Sequence, residues 1–240
     1  MSKANFISLK LVIGLFSLNP RNMRFPYFKR IAVVFLMIPT FTFLFTVNNF
    51  FLLIDNLLFY KFKKIEIKEP LFIVSMPRTG TTMLLHLLSS FKDDFTSFKL
   101  WELLFAPSIS QKLIFLAINK LDKKMNLKIK KIVIYFSDKV YKNISAIHNT
   151  GLEKPEEDEL ILIWSLSSGY IQYFYPDSQL FDYLLHFDNQ IHKKKKKRIM
   201  KRYFKLIQRH NYVFNKNQKK KFISKNPVSY THLRAHETRH

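Results

Sequence analysis

The longest apolar stretch of the chain lies near its amino terminus. Residues 31–54 form a run of 24 without a charged side chain, and 18 of these are apolar. About 20 apolar residues are enough to cross a bilayer, and the run is too long and too late for a secretory signal peptide. We therefore expect a membrane anchor, either a single pass or a helix lying in the interface. The alternative is a buried helical hairpin broken near Pro39 or Asn48. Basic residues flank both ends, so the pattern leaves the side of the membrane open.

Beyond residue 64, short apolar runs alternate with segments of helical period. Residues 71–74 lie between Pro70 and Pro77 and are typical of a buried parallel strand. Residues 221–224 have the same character. Between these two strands, helical spacing of apolar residues predicts helices over 81–91, 99–105, 111–147, 155–170 and 198–210. Strands that are separated by helices predict an α/β fold with a parallel sheet flanked by helices.

Composition narrows the classes of function. The chain carries 40 Lys and Arg against 17 Asp and Glu, a formal charge of +23, together with 25 Phe and no Cys. The aromatic content excludes a disordered chain. The lack of Cys excludes a disulfide scaffold, a thiol nucleophile and a cysteine-type zinc site. The basic excess favours an anionic partner or reflects an AT-rich coding bias. We expect the basic run 193–198 to be a solvated helix start and no nucleic-acid partner, because no aromatic stacking platform accompanies it.

The most informative motif is Pro77-Arg78-Thr79-Gly80-Thr81-Thr82, between the first strand and its helix. Glycine lets the backbone turn tightly, and successive N–H groups at a helix start form an anion site. The threonine hydroxyls and Arg78 add donors. The loop lacks the first glycine and the lysine of the nucleotide-triphosphatase loop G-x-x-x-x-G-K-[ST]. The motif therefore predicts binding of a phosphate or sulfate without hydrolysis of ATP or GTP.

Residues 72–82, FIVSMPRTGTT, resemble the 5′-phosphosulfate loop of the sulfotransferase family. Three further stretches are similar to the branch of this family that has Arg in the loop: Trp101-Glu102, the acidic segment 153–159 and Ser224-Lys225-Asn226-Pro227. The resemblance implies a P-loop-type sheet and the donor 3′-phosphoadenosine 5′-phosphosulfate (PAPS). It implies sulfuryl transfer, without a metal, to a hydroxyl or amine of a small-molecule, glycan or peptide acceptor. The implied cofactor-binding residues are Arg78, Thr79, Gly80, Thr81, Thr82 and Lys225, of which Arg78 is also catalytic.

The acceptor must lose a proton, and we predict Glu102 as the general base. It follows Arg78 by 24 residues, close to the spacing of the base in tyrosylprotein sulfotransferases, and burial beside Trp101 is expected to raise its pKa. The competing candidates are Glu156, Glu157 and His148. We expect Glu156 and Glu157 instead to serve the positive end of a helix.

These features divide the chain into three predicted segments. Residues 1–64 are a membrane-associated segment, 65–227 a partial sulfotransferase domain, and 228–240 a non-native tail, because 228–238 resemble a translated sequencing adapter. The 3′-phosphate site of the family lies past this point, so the chain as given is expected to bind the donor poorly. The rival interpretations are another P-loop transferase, such as a kinase, and a non-enzymatic basic membrane protein.

Overall fold

A computed structural model of the chain describes residues 35–36, 38–74, 79–145, 151–170 and 191–225. Its elements, in chain order, are α1 (Ile38–Leu58), a 3₁₀ helix (Tyr60–Lys64), β1 (Leu71–Ile73), α2 (Thr81–Ser90), β2 (Phe95–Thr96), α3 (Leu100–Phe105), α4 (Ile109–Met125), α5 (Ile129–Ser145), a second 3₁₀ helix (Asp158–Ser165), α6 (Lys193–Phe214) and β3 (Lys221–Lys225).

The sheet has β3 in the middle, with β1 and β2 parallel to it on either side. Leu71 of β1 pairs with Ile223, and Phe95 of β2 pairs with Lys221. Four of the five residues of β3 are buried, as expected for the central strand of a covered parallel sheet. The predicted parallel α/β fold is confirmed. β2 was not predicted, because two residues are too few to show a period.

Two clusters of buried side chains hold these layers together. The larger one includes Phe98, Trp164, Leu206 and Phe222, and it joins α1 and α6 to the 3₁₀ helix at Asp158–Ser165 and to β3. The smaller one consists of Ile73, Leu85 and Ile223, and it fixes α2 against β1 and β3. Each fully buried side chain of this size stabilises the fold by about 1.5–3 kcal/mol. The start of α2, where the predicted anion loop ends, is thus held by Leu85.

The region 111–147 contains two helices, α4 and α5, with a sharp turn between them. Asn126 and Lys128 take left-handed backbone conformations there, with φ of 51° and 59°. The carboxylate of Asp122 accepts the N–H groups of Ile129 (2.8 Å) and Lys130 (3.1 Å), which caps the start of α5. A polar side chain at the end of one helix therefore sets the start of the next.

The acidic segment differs from its prediction. An α-helix was expected from Pro155 to Tyr170, but the chain forms a 3₁₀ helix over Asp158–Ser165 that ends at Leu166, which has a φ of 52°. Asp158 and Glu159 are buried in its first turn rather than lying in solvent. The prediction of an α-helix was wrong because acidic residues after a proline are typical of a helix start, and this pattern does not distinguish an α-helix from a 3₁₀ helix.

α1 packs its polar side against the rest of the protein. The Asn48 side chain is fully buried and donates from Nδ2 to the carbonyl oxygen of Leu104 at 3.2 Å. The Asp55 carboxylate is also fully buried; it accepts the Ile109 N–H at 2.7 Å and forms an ion pair with Arg209 at 3.0 Å. The ion pair of Asp55 with Arg209 allows the helix to continue to Leu58, past residue 54, where the uncharged run ends. The start of that run, 31–34, lies outside the described residues.

The opposite side of α1 is apolar and exposed. We call this side, made of Phe43, Phe50, Leu53 and Leu57, the outer face; these residues are 66%, 58%, 66% and 79% exposed. Among the described residues, α1 is the one helix long and apolar enough to cross a membrane, over Pro39–Leu58. Length and composition also suit a core helix of a soluble protein. α1 contacts α4, α6 and both 3₁₀ helices. The predicted boundary at residue 64, between a membrane-associated segment and the sulfotransferase domain, stays a prediction.

Candidate active site

The predicted anion loop ends at Gly80, directly before α2. Gly80 has a φ of 82°, in the left-handed region that favours glycine, and a Cβ placed on it would meet no atom of the described residues within 4 Å. Its carbonyl oxygen accepts the first helical N–H, from Leu84, at 3.1 Å. A tight left-handed turn directly before a helix is the backbone geometry that an anion site at a helix start uses. Arg78 and the preceding Ser75–Pro77 lie outside the described residues.

Lys225 connects the start of α2 to the acidic segment. It is the last residue of β3, and its Nζ donates to Thr82 Oγ1 at 2.8 Å and contacts Glu157 Oε1 at 2.9 Å. The Lys225 side chain is 8% exposed and that of Glu157 is 21% exposed. Parallel strands bring their carboxyl ends to one edge of the sheet, where ligands of such folds bind. Two of the predicted cofactor-binding residues, Thr82 and Lys225, therefore lie together.

Tyr170 adds a second partner for Glu157, and the sequence analysis did not single it out. Its hydroxyl donates to Glu157 Oε2. Burial, followed by the negative charge of Glu157, raises the pKa of Tyr170 above its ordinary value, so this phenol stays protonated and donates. No local sequence signal joins residues 157 and 170. The pair forms because the chain turns back after the 3₁₀ helix.

Glu102 lies in a buried network of charges. Its side chain is 1% exposed, and Oε2 contacts His210 Nδ1 at 2.7 Å and Lys112 Nζ at 3.7 Å. Oε1 accepts the Lys99 N–H at the start of α3. Burial raises the pKa of Glu102, but His210, Lys112 and the Lys99 N–H together bring it below its ordinary value. The expected rise in its pKa is therefore wrong, because the prediction considered burial without these partners.

A second buried carboxylate lies directly behind Lys225. Asp158 Oδ2 accepts from Ser224 Oγ at 2.7 Å and from the Tyr203 hydroxyl. Burial raises the pKa of Asp158 to about 7, although both hydrogen bonds act to lower it. The sequence analysis did not predict this contact. The cluster ties the acidic segment and α6 to the strand that ends in Lys225.

Two histidines lie near the site in the sequence. His86 was not predicted to act in the reaction, and its Nε2 lies 3.2 Å from the carbonyl oxygen of Pro155, which joins α2 to the acidic segment. Burial is the main cause that lowers the pKa of His86. His148 lies outside the described residues. Among the described residues, no group of three or more His, Asp and Glu side chains could hold a metal ion.

Comparison with known proteins gives the family. A sequence model described as "Sulfotransferase family" matches residues 70–236, more than half of the chain. The chain belongs to the sulfotransferase family. The matched region begins just before β1 and includes the anion loop, Glu102, the acidic segment and Lys225. It also runs into the tail from residue 228, whose foreign origin stays a prediction.

A solved structure supports the sulfotransferase fold. The crystal structure of sulfotransferase STF9 from Mycobacterium avium superposes with a TM-score of 0.56 at 17% sequence identity. The superposition covers 94% of this chain and 52% of STF9, so the chain spans about half the length of that protein. At this identity the likeness concerns the fold alone. No protein of curated function matches the sequence.

Proposed function

We propose that this sulfotransferase-family chain belongs to an enzyme that transfers the sulfuryl group of PAPS to a hydroxyl or amine acceptor. Family membership and the fold support a transferase. The observation that carries the proposal is the contact of Lys225 with Thr82 at the start of α2, since it adds a cation to an anion-binding turn. The acceptor class is a small molecule, a glycan or a peptide.

The donor cradle consists of Arg78, Thr79–Thr82 and Lys225. The N–H groups at the start of α2 and the threonine hydroxyls bind the 5′-phosphosulfate oxygens. In the reaction, the acceptor oxygen or nitrogen forms a bond to sulfur while the bond from sulfur to the bridging oxygen breaks. Negative charge grows on the departing phosphate, and Arg78 and Lys225 neutralise it. As in phosphoryl transfer, positioning and electrostatics supply most of the rate enhancement.

The acceptor proton goes to a general base, for which Glu102 is the prediction and Glu156, Glu157 and His148 are the alternatives. Glu102 remains the prediction from sequence spacing, and its burial means that the acceptor would have to reach it through an opening in the site. Glu157 is supported by its contact with Lys225 and by its 21% exposure. The comparison of Glu102→Gln with Glu157→Gln, described in the Discussion, separates them.

The donor class is tested by isothermal calorimetry on this chain and on a form extended to a complete sulfotransferase domain. We expect adenosine 3′,5′-bisphosphate to bind in the presence of EDTA, more tightly to the extended form, because the family resemblance implies a 3′-phosphate site formed by residues that follow the late strand. Binding of ATP with Mg²⁺ alone would favour a kinase. Binding of neither by the extended form would favour a non-enzymatic membrane protein.

Arg78 is tested in the extended form. We expect Arg78→Ala to lower sulfuryl transfer by about 10²–10³, the usual effect of losing one donor that stabilises transition-state charge. Circular dichroism checks that the fold is kept. Transfer within threefold of the parent would contradict the assignment of Arg78.

We also propose that the protein associates with a membrane through α1. The length and apolar composition of Pro39–Leu58 support this, as does the exposed outer face. A single-pass arrangement and a monotopic one remain alternatives at this point, and the side of the membrane stays open.

A further inference from the structure

A half-open cavity of about 290 Å³ lies between α1 and α6. Three cationic side chains of α6 line it: Arg202, Lys205 and Arg209. The amides of Asn49 and Asn56 line it from α1. Guanidinium and ammonium groups around a polar cleft are the usual ligands of a phosphate. We call this cavity the basic groove.

The positive charge of the basic groove is only partly balanced. Within the described part of the chain, Asp55 is the one carboxylate that forms an ion pair with any of these three cations, and it pairs with Arg209. Arg202 donates instead to neutral oxygens, Asn49 Oδ1 at 2.7 Å and the Trp164 carbonyl at 3.2 Å. Three cations and one carboxylate leave the groove attractive to an anion.

The electrostatics of Lys205 agree with this geometry. Burial lowers the pKa of Lys205, and the like charges of Lys201, Lys63 and Arg209 lower it further. An anion bound among these cations would relieve this repulsion.

The basic groove is separate from the donor cradle. Neither Thr79–Thr82 nor Lys225 lines it. Gln208, next to Arg209, donates to the carbonyl oxygens of Lys63 and Ile65, which precede β1, whereas the donor loop follows β1. The Arg209 end of the groove therefore lies toward the start of β1, and the residues of the donor cradle do not line the groove.

The outer face of α1 adjoins the basic groove. Leu53 belongs to both, since it lines the cavity and is 66% exposed. Lys61, Lys63 and Lys64 follow α1 directly, and all three are exposed. An apolar face beside cationic side chains is typical of a helix that lies in the interface of an anionic membrane. A free phosphate would explain the groove but not the apolar residues beside it.

We propose that the basic groove binds the phosphate of an anionic phospholipid headgroup while the outer face of α1 lies in the membrane interface. This inference rests on the proposed membrane association and is independent of sulfuryl transfer. It selects the monotopic arrangement, because the opposite side of α1 is bound to the protein through Asn48 and Asp55. A helix crossing the bilayer would carry those contacts into the hydrocarbon.

The test is vesicle flotation of the full 240-residue chain with phosphatidylcholine alone, or with added phosphatidic acid or phosphatidylserine. We expect binding only to the anionic vesicles. Lys205→Gln should weaken it about fivefold, the usual effect of one basic residue at an anionic surface. Lys92→Gln is the control, because Lys92 is exposed just after α2 and neither lines the groove nor acts on the charge of Lys205. Lys205 is preferred to Arg202, whose side chain also holds α1.

A second pair of variants tests the outer face. Leu53→Ser together with Leu57→Ser should abolish flotation, while Met83→Ser, on an equally exposed apolar position of α2, should leave it unchanged. Circular dichroism confirms that each variant is folded. Vesicle-bound protein should be released by an alkaline carbonate wash.

Four results would overturn the proposal. They are equal binding to neutral and anionic vesicles, equal losses in Lys205→Gln and Lys92→Gln, retention in the bilayer after the carbonate wash, and an absence of vesicle binding. In the last case, binding of inorganic phosphate that Lys205→Gln weakens would assign the groove to a soluble anion. Calorimetry with the donor analogue is unaffected by these outcomes, so failure here is distinct from failure of the proposed activity.

Discussion

Asp158 gives a pH dependence that can be measured on the folded chain. Burial raises its pKa from 3.8 to about 7, so between these values the native state holds a proton that the unfolded chain has released. The free energy of unfolding therefore falls as pH rises through this window. Asp158→Asn imitates the protonated acid and lacks the effect. We expect the parent to lose stability relative to Asp158→Asn between pH 5 and pH 8.

The measurement is chemical denaturation of both proteins across that range, followed by circular dichroism. Asp93→Asn, a change at an exposed position, serves as the control and should give the same pH profile as the parent. Parallel profiles of the parent and Asp158→Asn would mean that Asp158 is ionised in the native state.

Glu102 and Glu157 are predicted to differ in what their replacement damages. Removing one partner of a buried ion pair costs about 3–5 kcal/mol, so Glu102→Gln should lower the free energy of unfolding strongly. Glu157→Gln keeps a more exposed position and should lower turnover more than stability. Turnover is measured in the extended form, with donor affinity determined separately by calorimetry. If folded Glu102→Gln loses turnover at unchanged donor affinity while Glu157→Gln keeps its turnover, Glu102 is the base.

Individual site residues were predictable where their role depends only on neighbouring residues in the sequence. The turn at Gly80 follows from one glycine between a strand and a helix, and the structure has it there. The pairing of Glu157 with Tyr170, or of Asp158 with Tyr203 and Ser224, depends on segments far apart in the chain. Nothing in a local pattern shows which carboxylate will be buried against which hydroxyl, so these contacts became visible only in the fold.

The helices were likewise predictable where the signal lies in the local sequence. Long periodic segments such as α4, α5 and α6 were found by their spacing, since many residues repeat the signal. The 3₁₀ helix at Asp158–Ser165 was predicted as an α-helix, because acidic residues after Pro155 are typical of the first turn of an α-helix. α1 was predicted as an apolar segment, but the inward direction of its polar side depends on partners supplied by α4 and α6.

α1 is expected to be essential for folding. Deleting residues 1–55 would remove Asn48, the core residue Leu52 and Asp55, and would leave the start of α4 and the Arg209 guanidinium without their carboxylate partner. We expect the shortened protein to lack cooperative unfolding in a thermal melt. A soluble, cooperatively folded product would show that α1 is an accessory to the domain.

A single substitution gives the milder form of this test. Asp55→Asn keeps the shape of the side chain but removes the charge that pairs with Arg209, at a cost of about 3–5 kcal/mol. Asp93→Asn should change the free energy of unfolding by less than about 0.5 kcal/mol, as is usual for surface positions. Equal effects of the two substitutions in urea denaturation would contradict the role given to Asp55.

At the scale of the whole molecule, Lys225 joins three parts of the fold. Its Nζ is held by Thr82 at the start of α2 and by Glu157 in the acidic segment, while its backbone pairs with Ile73 at the end of β1. A donor phosphate bound at the turn would contact the same ammonium group. Binding of the donor should therefore stabilise the complete domain and not only the loop.

We expect adenosine 3′,5′-bisphosphate at 100 times its Kd to stabilise the extended form by about 2.7 kcal/mol, with a matching rise in Tm. Lys225→Met should weaken donor binding about 10- to 100-fold, because a hydrogen bond to a charged group contributes about 1.5–3 kcal/mol. Lys221→Met is the matched control: Lys221 is on the same strand, is 52% exposed and pairs with Glu69 at the surface. The quantity to compare is the ligand-induced change in Tm of each variant, which removes any effect of the substitution on the free protein. Equal ligand-induced changes in Lys225→Met and Lys221→Met would place the donor away from Lys225, and with it the reaction centre away from the strand end where β3 meets α2.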